Sequence, residues 1–160
     1  MPKSIARTAS LGVVTRDQSF IKAHLSYHIT RVVTELVRQD LTTASIAVFL
    51  RLKSFDSVGE KVRITPTNAF EKLNKIVSQL FEKLFVVGHG YRACGVVVSN
   101  IQPDVRQGDL FAAPHPQETV SLIQVMDEIN DRFGSQTLRP AIALNKSKQG
   151  LRFKYPVLWI

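Results

Sequence analysis

Apolar residues recur with two different periods over the first hundred positions, and the period switches at each break. From Ser4 to Val14, Ile5, Ala9, Leu11 and Val13 fall at alternate places, which predicts a strand. Asp17 or Ser19 can cap the helix that follows. There Ile21, Leu25, Ile29, Val32 and Leu36 recur at steps of four and three, a single apolar stripe on a helix running to about Gln39. Thr43 to Phe55 alternates most cleanly, with Ile46, Val48, Leu50 and Leu52 on one face and Ser45, Ala47, Phe49, Arg51 and Lys53 on the other. Asp56-Ser57-Val58-Gly59 reads as a turn. Glu60 to Thr65 reads as a short returning strand, in which Val62 and Ile64 alternate with Lys61, Arg63 and Thr65. Asn68, with Glu71 three places on, gives a capping-box-like start to a second helix, whose stripe is Phe70, Leu73, Val77, Leu80 and Leu84. Gly88-His89-Gly90 closes the connection. Tyr91 to Ile101 is a fourth strand, with Cys94, Val96 and Val98 on one face and Ala93, Gly95, Val97 and Ser99 on the other.

The order β-α-β-β-α-β predicts an α+β fold: a four-stranded antiparallel sheet with both helices on one face. The first strand is expected beside the third. The open face then carries Arg7, Arg51, Lys53, Lys61 and Arg63. Three regions follow: a folded domain over 1–101, a linker over 102–116 and a C-terminal segment over 117–160. In the last, Leu122, Met126, Ile129 and Phe133 mark a third helix closed by Gly134. Residues 137–144 are read as a strand, and 145–160 give no clear assignment.

The linker holds Gln107-Gly108-Asp109-Leu110-Phe111, a poor helix and a poor strand. It ends in two large apolar side chains, Leu110 and Phe111, on a polar tether. That is the form of a linear docking peptide, with Gln107 as a polar head to fix register. The plain alternative is that the pair folds back on its own domain.

The chain has 160 residues and a formal net charge of +8, with a pI near 9.9. This favours a polyanionic partner, most often nucleic acid. No apolar run approaches the length of a membrane span, and Met1-Pro2-Lys3-Ser4 lacks a signal-peptide core. A cytoplasmic protein with no membrane partner is expected. One cysteine, Cys94, gives no internal disulfide and no multi-cysteine metal site, and it reads as core. His24 and His28 stand four apart as in a zinc helix, but Leu25 occupies the place of the general base. They are read as two helix-surface histidines. No metal ligand, cofactor or catalytic residue is assigned on this chain.

Several motifs resemble one family. Lys3-Ser4-Ile5-Ala6-Arg7 is similar to the K-S-I-G-R run joining palm to little finger in Y-family translesion DNA polymerases, with Ala6 for the usual Gly. Arg92-Ala93-Cys94-Gly95-Val96-Val97-Val98-Ser99 looks like that family's last little-finger strand. Gln107-Gly108-Asp109-Leu110-Phe111 resembles the Q-x-[SD]-L-F peptide that binds the bacterial sliding clamp, with Gly108 for the commoner Leu. That peptide, followed by the run Met126 to Gly134, resembles the UmuC-type branch.

The resemblance implies a DNA-binding and clamp-binding end of an error-prone polymerase acting in lesion bypass and the SOS response. It implies DNA contacts from Lys3, Ser4, Arg7, Arg51, Lys53, Lys61, Arg63, Thr65 and Arg92, and clamp contacts from Gln107, Asp109, Leu110 and Phe111. It also implies Mg²⁺ for a parent polymerase whose palm carboxylates this chain lacks, and partners such as a UmuD-type subunit and a recombinase filament. Met1 standing directly before the linker run fits a fragment of a longer chain. The rival readings are a free-standing nucleic-acid-binding module and a protein-interaction adaptor of the same fold.

Overall fold

The computed structural model describes residues 2–104, 117–135 and 137–143. Strand β1 (Ser4–Thr15) leads into helix α1 (Gln18–Arg38). Strands β2 (Leu41–Leu52) and β3 (Ser57–Thr67) form a hairpin, followed by helix α2 (Phe70–Leu84), strand β4 (Tyr91–Pro103) and helix α3 (Gln117–Phe133). The predicted α+β architecture is present, with one antiparallel sheet in the order β1-β4-β2-β3.

The expected neighbour of β1 was β3, and this is corrected: β1 and β3 are the two edges. Their sequences suit edges. Every inward residue of β3 is only partly buried, and the strand contains Pro66, which has no N–H to give to a ladder. In β4, Cys94, Val96 and Val98 are all fully buried, as suits a strand flanked on both sides.

The core forms between the sheet and the two helices. Ile46, Val48 and Leu50 of β2 and Val96 and Val98 of β4 meet Ile21, Leu25, Ile29, Val32 and Leu36 of α1 and Leu73, Val77 and Leu80 of α2. Asp17 caps α1 as expected, accepting from Ser19 N at 2.9 Å and Phe20 N at 3.2 Å. The Ser19 hydroxyl and the Phe20 amide hold its carboxyl below the usual aspartate pKa.

The capping box at α2 does not form. Ala69 is the N-cap, and Asn68 instead donates to Leu41 O at 3.2 Å and Asp104 Oδ2 at 3.3 Å. Asn68 thereby ties the start of β2 to the end of β4. The hairpin turn also lies earlier than expected. Phe55 N donates to Leu52 O and Leu52 N to Asp56 O, so residues 53–56 turn the chain. Ser57, Val58 and Gly59 belong to β3.

Helix α3 packs over the other two helices. Ile123 is buried and Met126 is partly buried against the core, whereas Leu122 and Phe133 of the expected stripe are exposed. Arg38 at the end of α1 fixes this docking, with Nη2 2.9 Å from Asp127 Oδ1 and 2.9 Å from Asp131 Oδ2. Its hydrogen bond to Asp127 raises its pKa above the ordinary arginine value. The reading of His24 and His28 as surface residues is corrected. Both are buried, because α1 is enclosed on more than its sheet-facing stripe.

Residues 137–143 are not a strand. Leu138 N donates to Asn130 Oδ1 at 2.8 Å, Asn130 Nδ2 returns a bond to Leu138 O at 2.9 Å, and 141–143 form a short 3₁₀ turn. Among the described residues, no helix is long and apolar enough to cross a membrane. The docking peptide with Gln107, Asp109, Leu110 and Phe111, and the tail 144–160, lie outside the described residues.

Candidate nucleic-acid interface

The strand registers set the open face in four rows, each read from β1 to β3. They are Ser4–Ser99–Ser45–Arg63, Ala6–Val97–Ala47–Lys61, Thr8–Gly95–Phe49–Gly59 and Ser10–Ala93–Arg51–Ser57. Because side chains alternate across a strand, the intervening rows face the helices. Glu60 confirms the parity: it lies between Lys61 and Gly59 and accepts from Lys83 of α2 at 3.1 Å.

The face has two unlike halves. Lys61 and Arg63 stand exposed along the β3 edge, Arg51 stands exposed near the hairpin end of β2, and Lys53 is exposed in the turn just beyond that strand. The β1 and β4 half is small and uncharged: Ser4, Ala6, Thr8, Ser10, Ala93, Gly95, Val97 and Ser99. No acidic residue falls in the four rows.

Phe49 lies at the centre, flanked by glycine on both neighbouring strands. An ideal Cβ built on Gly95 would sit 2.5 Å from Phe49 Cε1 and Cζ, so the ring occupies the space a side chain there would need. Gly95 is buried although it belongs to the open face. The arrangement is an aromatic cover over a strand glycine.

Arg7 does not join the face. It lies in the row Arg7–Val96–Val48–Glu60, on the helix side, with Nη2 3.9 Å from Glu35 Oε2 of α1. It shares the parity of Ile5 and Ala9, which puts it there.

The remaining expected residues are arranged as follows. Lys3 is exposed immediately before β1, and Ser4 shares a row with Arg63. Thr65 is exposed where the β2–β3 register shifts, outside the regular rows. Arg92 is the extra residue of an irregularity between β4 and β2, and its guanidinium stands 3.9 Å from the centroid of the Phe55 ring. Sequence reasoning missed Phe55. Its signal was an apolar side chain between the polar turn residues Ser54 and Asp56.

Charge pairing separates the two sides of the sheet. Among the described residues, the ion pairs Arg7–Glu35, Lys22–Glu82, Arg38–Asp127, Arg38–Asp131 and Lys83–Glu60 all lie on the helix side. Arg51, Lys53, Lys61 and Arg63 form no ion pair among the described residues, so the face keeps its positive field. A flat surface with unneutralised cations on flexible stems and no acid is chemically suited to phosphate oxygens.

Residues 2–110 match the profile of the impB/mucB/samB family C-terminal domain. A DNA polymerase IV from Halorhodospira halophila is 30% identical over 112 residues, which cover 69% of this chain and 32% of that polymerase. The fold is shared with an insertion ternary complex of Dbh DNA polymerase (TM-score 0.56, 18% identity, 62% of this chain and 29% of that one). It is shared equally with DinB from Sulfolobus solfataricus (TM-score 0.56, 19% identity, 62% and 29%). The chain thus spans about a third of the length of the curated relative it matches.

Proposed function

The chain belongs to the impB/mucB/samB family of C-terminal domains, the little-finger domains of Y-family DNA polymerases, and from that premise we propose that it is the DNA-gripping end of a translesion polymerase. The observation that carries this reading is the open face itself: it holds cations and no acid in its rows, and among the described residues every ion pair lies on the other side of the sheet. Arg51, Lys53, Lys61 and Arg63 reach phosphates along the groove of a duplex. Phosphates are the same in every sequence, so the grip is tight but indifferent to base order, which suits a polymerase that must hold damaged and undamaged template alike. The neutral β1 and β4 half lets backbone approach the sheet closely where long side chains would hold it off.

In this reading the nucleotidyl transfer belongs to the rest of the polymerase, where paired carboxylates hold Mg²⁺. Gln107, Asp109, Leu110 and Phe111 form a peptide that docks on the bacterial sliding clamp. The run Met126 to Gly134 resembles the UmuC-like branch, and on that resemblance we read the parent as acting in the SOS response with a UmuD-type subunit and a recombinase filament as accessory partners. We read the chain as a folded unit over 1–101, a connection over 102–116 whose first residues finish β4, and a final segment, 117–160, whose helix α3 packs on that unit. Salt-dependent binding of duplex DNA by the purified chain tests the reading. Binding with no salt dependence, or none, removes it.

A further inference from the structure

The three-residue loop of the hairpin calls for a left-handed residue at position 55, and Phe55 fills it at a cost that glycine would avoid. It sits at the tip of the β2–β3 hairpin with φ of 73°, a left-handed conformation that a bulky side chain rarely adopts. It is 64% exposed, so its ring contributes little to the core. Such outliers point to function when the surrounding structure holds them in place, and here it does. Phe55 N is bonded to Leu52 O at 3.0 Å, and Leu52 N to Asp56 O at 2.8 Å. Ser54 Oγ is bonded to Asp56 Oδ2 at 2.7 Å, which engages the one acid of the turn. The Arg92 guanidinium stands over the ring, 3.9 Å from its centroid, a cation–π contact that fixes the ring's orientation. Among the described residues the guanidinium itself makes no ion pair or side-chain hydrogen bond, so its N–H groups stay available.

We propose that Phe55 is a stacking platform for an unpaired nucleobase, with Arg92 holding the ring and binding the adjoining phosphate. The inference rests on the nucleic-acid reading of the open face and adds a second kind of ligand to it: single-stranded nucleic acid next to the gripped duplex. An aromatic ring backed by a guanidinium and otherwise exposed accepts any base, since every base has a π-face. The setting favours nucleic acid over an apolar protein pocket. Arg51 and Lys53 lead directly into the turn, and Arg51 shares its row with Ala93, the residue after Arg92.

The test uses the full chain and three probes: a short blunt duplex, the same duplex with a thymidine overhang, and that duplex with an abasic overhang. Fluorescence anisotropy should show the thymidine overhang binding more tightly than both others, by roughly five- to a hundred-fold at a single stacking position. Phe55→Leu, which keeps apolar volume but loses the π-face, should abolish that gain and leave the blunt duplex within about two-fold. Phe55→Gly should do the same without lowering the melting temperature, because glycine tolerates the left-handed backbone. If the wild type binds blunt duplex but gains nothing from the thymidine overhang, the platform is absent while the grip stands. Equal losses on all three probes, or a fall in melting temperature in Phe55→Gly, would make the ring a structural support and overturn the proposal. Failure of the wild type to bind any duplex would instead defeat the reading on which it rests.

Discussion

The ring of Phe49 on β2 fills the place that a side chain at position 95 of β4 would take. Cε1 and Cζ lie 2.5 Å from an ideal Cβ there, and Thr8 Cγ2 lies 2.8 Å from it. Gly95→Ala must therefore displace the ring, an overpacking cost of about 1–3 kcal/mol. In a Phe49→Ala background the ring's share of that cost should vanish, leaving only the close approach to Thr8 Cγ2. Urea denaturation of the single and double variants measures the coupling. Strictly additive losses would mean that the two residues do not compete for space.

Arg7 pairs with Glu35 beneath the sheet, so it belongs to the fold and not to the grip. Arg7→Gln should leave the salt dependence of duplex binding unchanged. It should lower stability by less than about 1 kcal/mol, since both side chains are about a third exposed and the pair is screened by solvent. Loss of one phosphate contact from the salt slope would return Arg7 to the DNA-binding surface.

Helix α3 is held by Ile123 in the core and by Arg38 between Asp127 and Asp131. Ile123→Asp buries an unpaired charge in that contact and should release α3. Sheet amides should keep their protection from hydrogen exchange while those of α3 lose theirs. Loss of protection throughout the sheet would show that α3 is integral to the first domain.

Much of this fold is legible from period alone. The stripe of α1 and the alternation of β2 come from residues whose burial follows local geometry, and each predicted face is the observed one. What needed long-range information was lost. Strand order depends on which strands bury both edges, and β4 takes the centre because its inward residues are wholly apolar. Asn68 followed by Glu71 matches a capping box, yet Leu41 O and Asp104 compete for its amide. Gly59 looked like a turn signal, but in the fold it is the cross-strand neighbour of Phe49. His24 and His28 looked exposed because nothing local announces that α1 will be enclosed on more than its sheet-facing stripe. In the candidate site, Arg51, Lys61 and Arg63 were legible by alternation, whereas Lys53 falls past the end of β2, in the turn. Arg7 was legible too: its odd position shares the face of Ile5 and Leu11, and its charge obscured that parity.

The docking peptide carries its own prediction. Leu110→Ala combined with Phe111→Ala should abolish binding to purified bacterial clamp in calorimetry and leave the melting temperature unchanged, because both anchors are expected on a tether. Unchanged affinity removes the docking role. A clear drop in melting temperature shows instead that the pair folds back on its own domain.

The groove-facing assignment is tested most directly by the slope of log K against log salt for duplex binding. Arg51, Lys61 and Arg63 of the open face and Lys53 of the adjoining turn, at about 0.9 per phosphate contact, give a slope of roughly −3 to −4. Charge reversal at Lys61 and Arg63, which neighbour each other on the β3 edge of that face, should weaken binding to all duplexes alike and bring the slope to roughly −1 to −2. Reversal at Lys72 and Lys75, exposed on α2, should leave the slope unchanged. If the α2 pair flattens the slope as much as the sheet pair does, the charge acts as a diffuse field and the open sheet is not the surface that grips DNA.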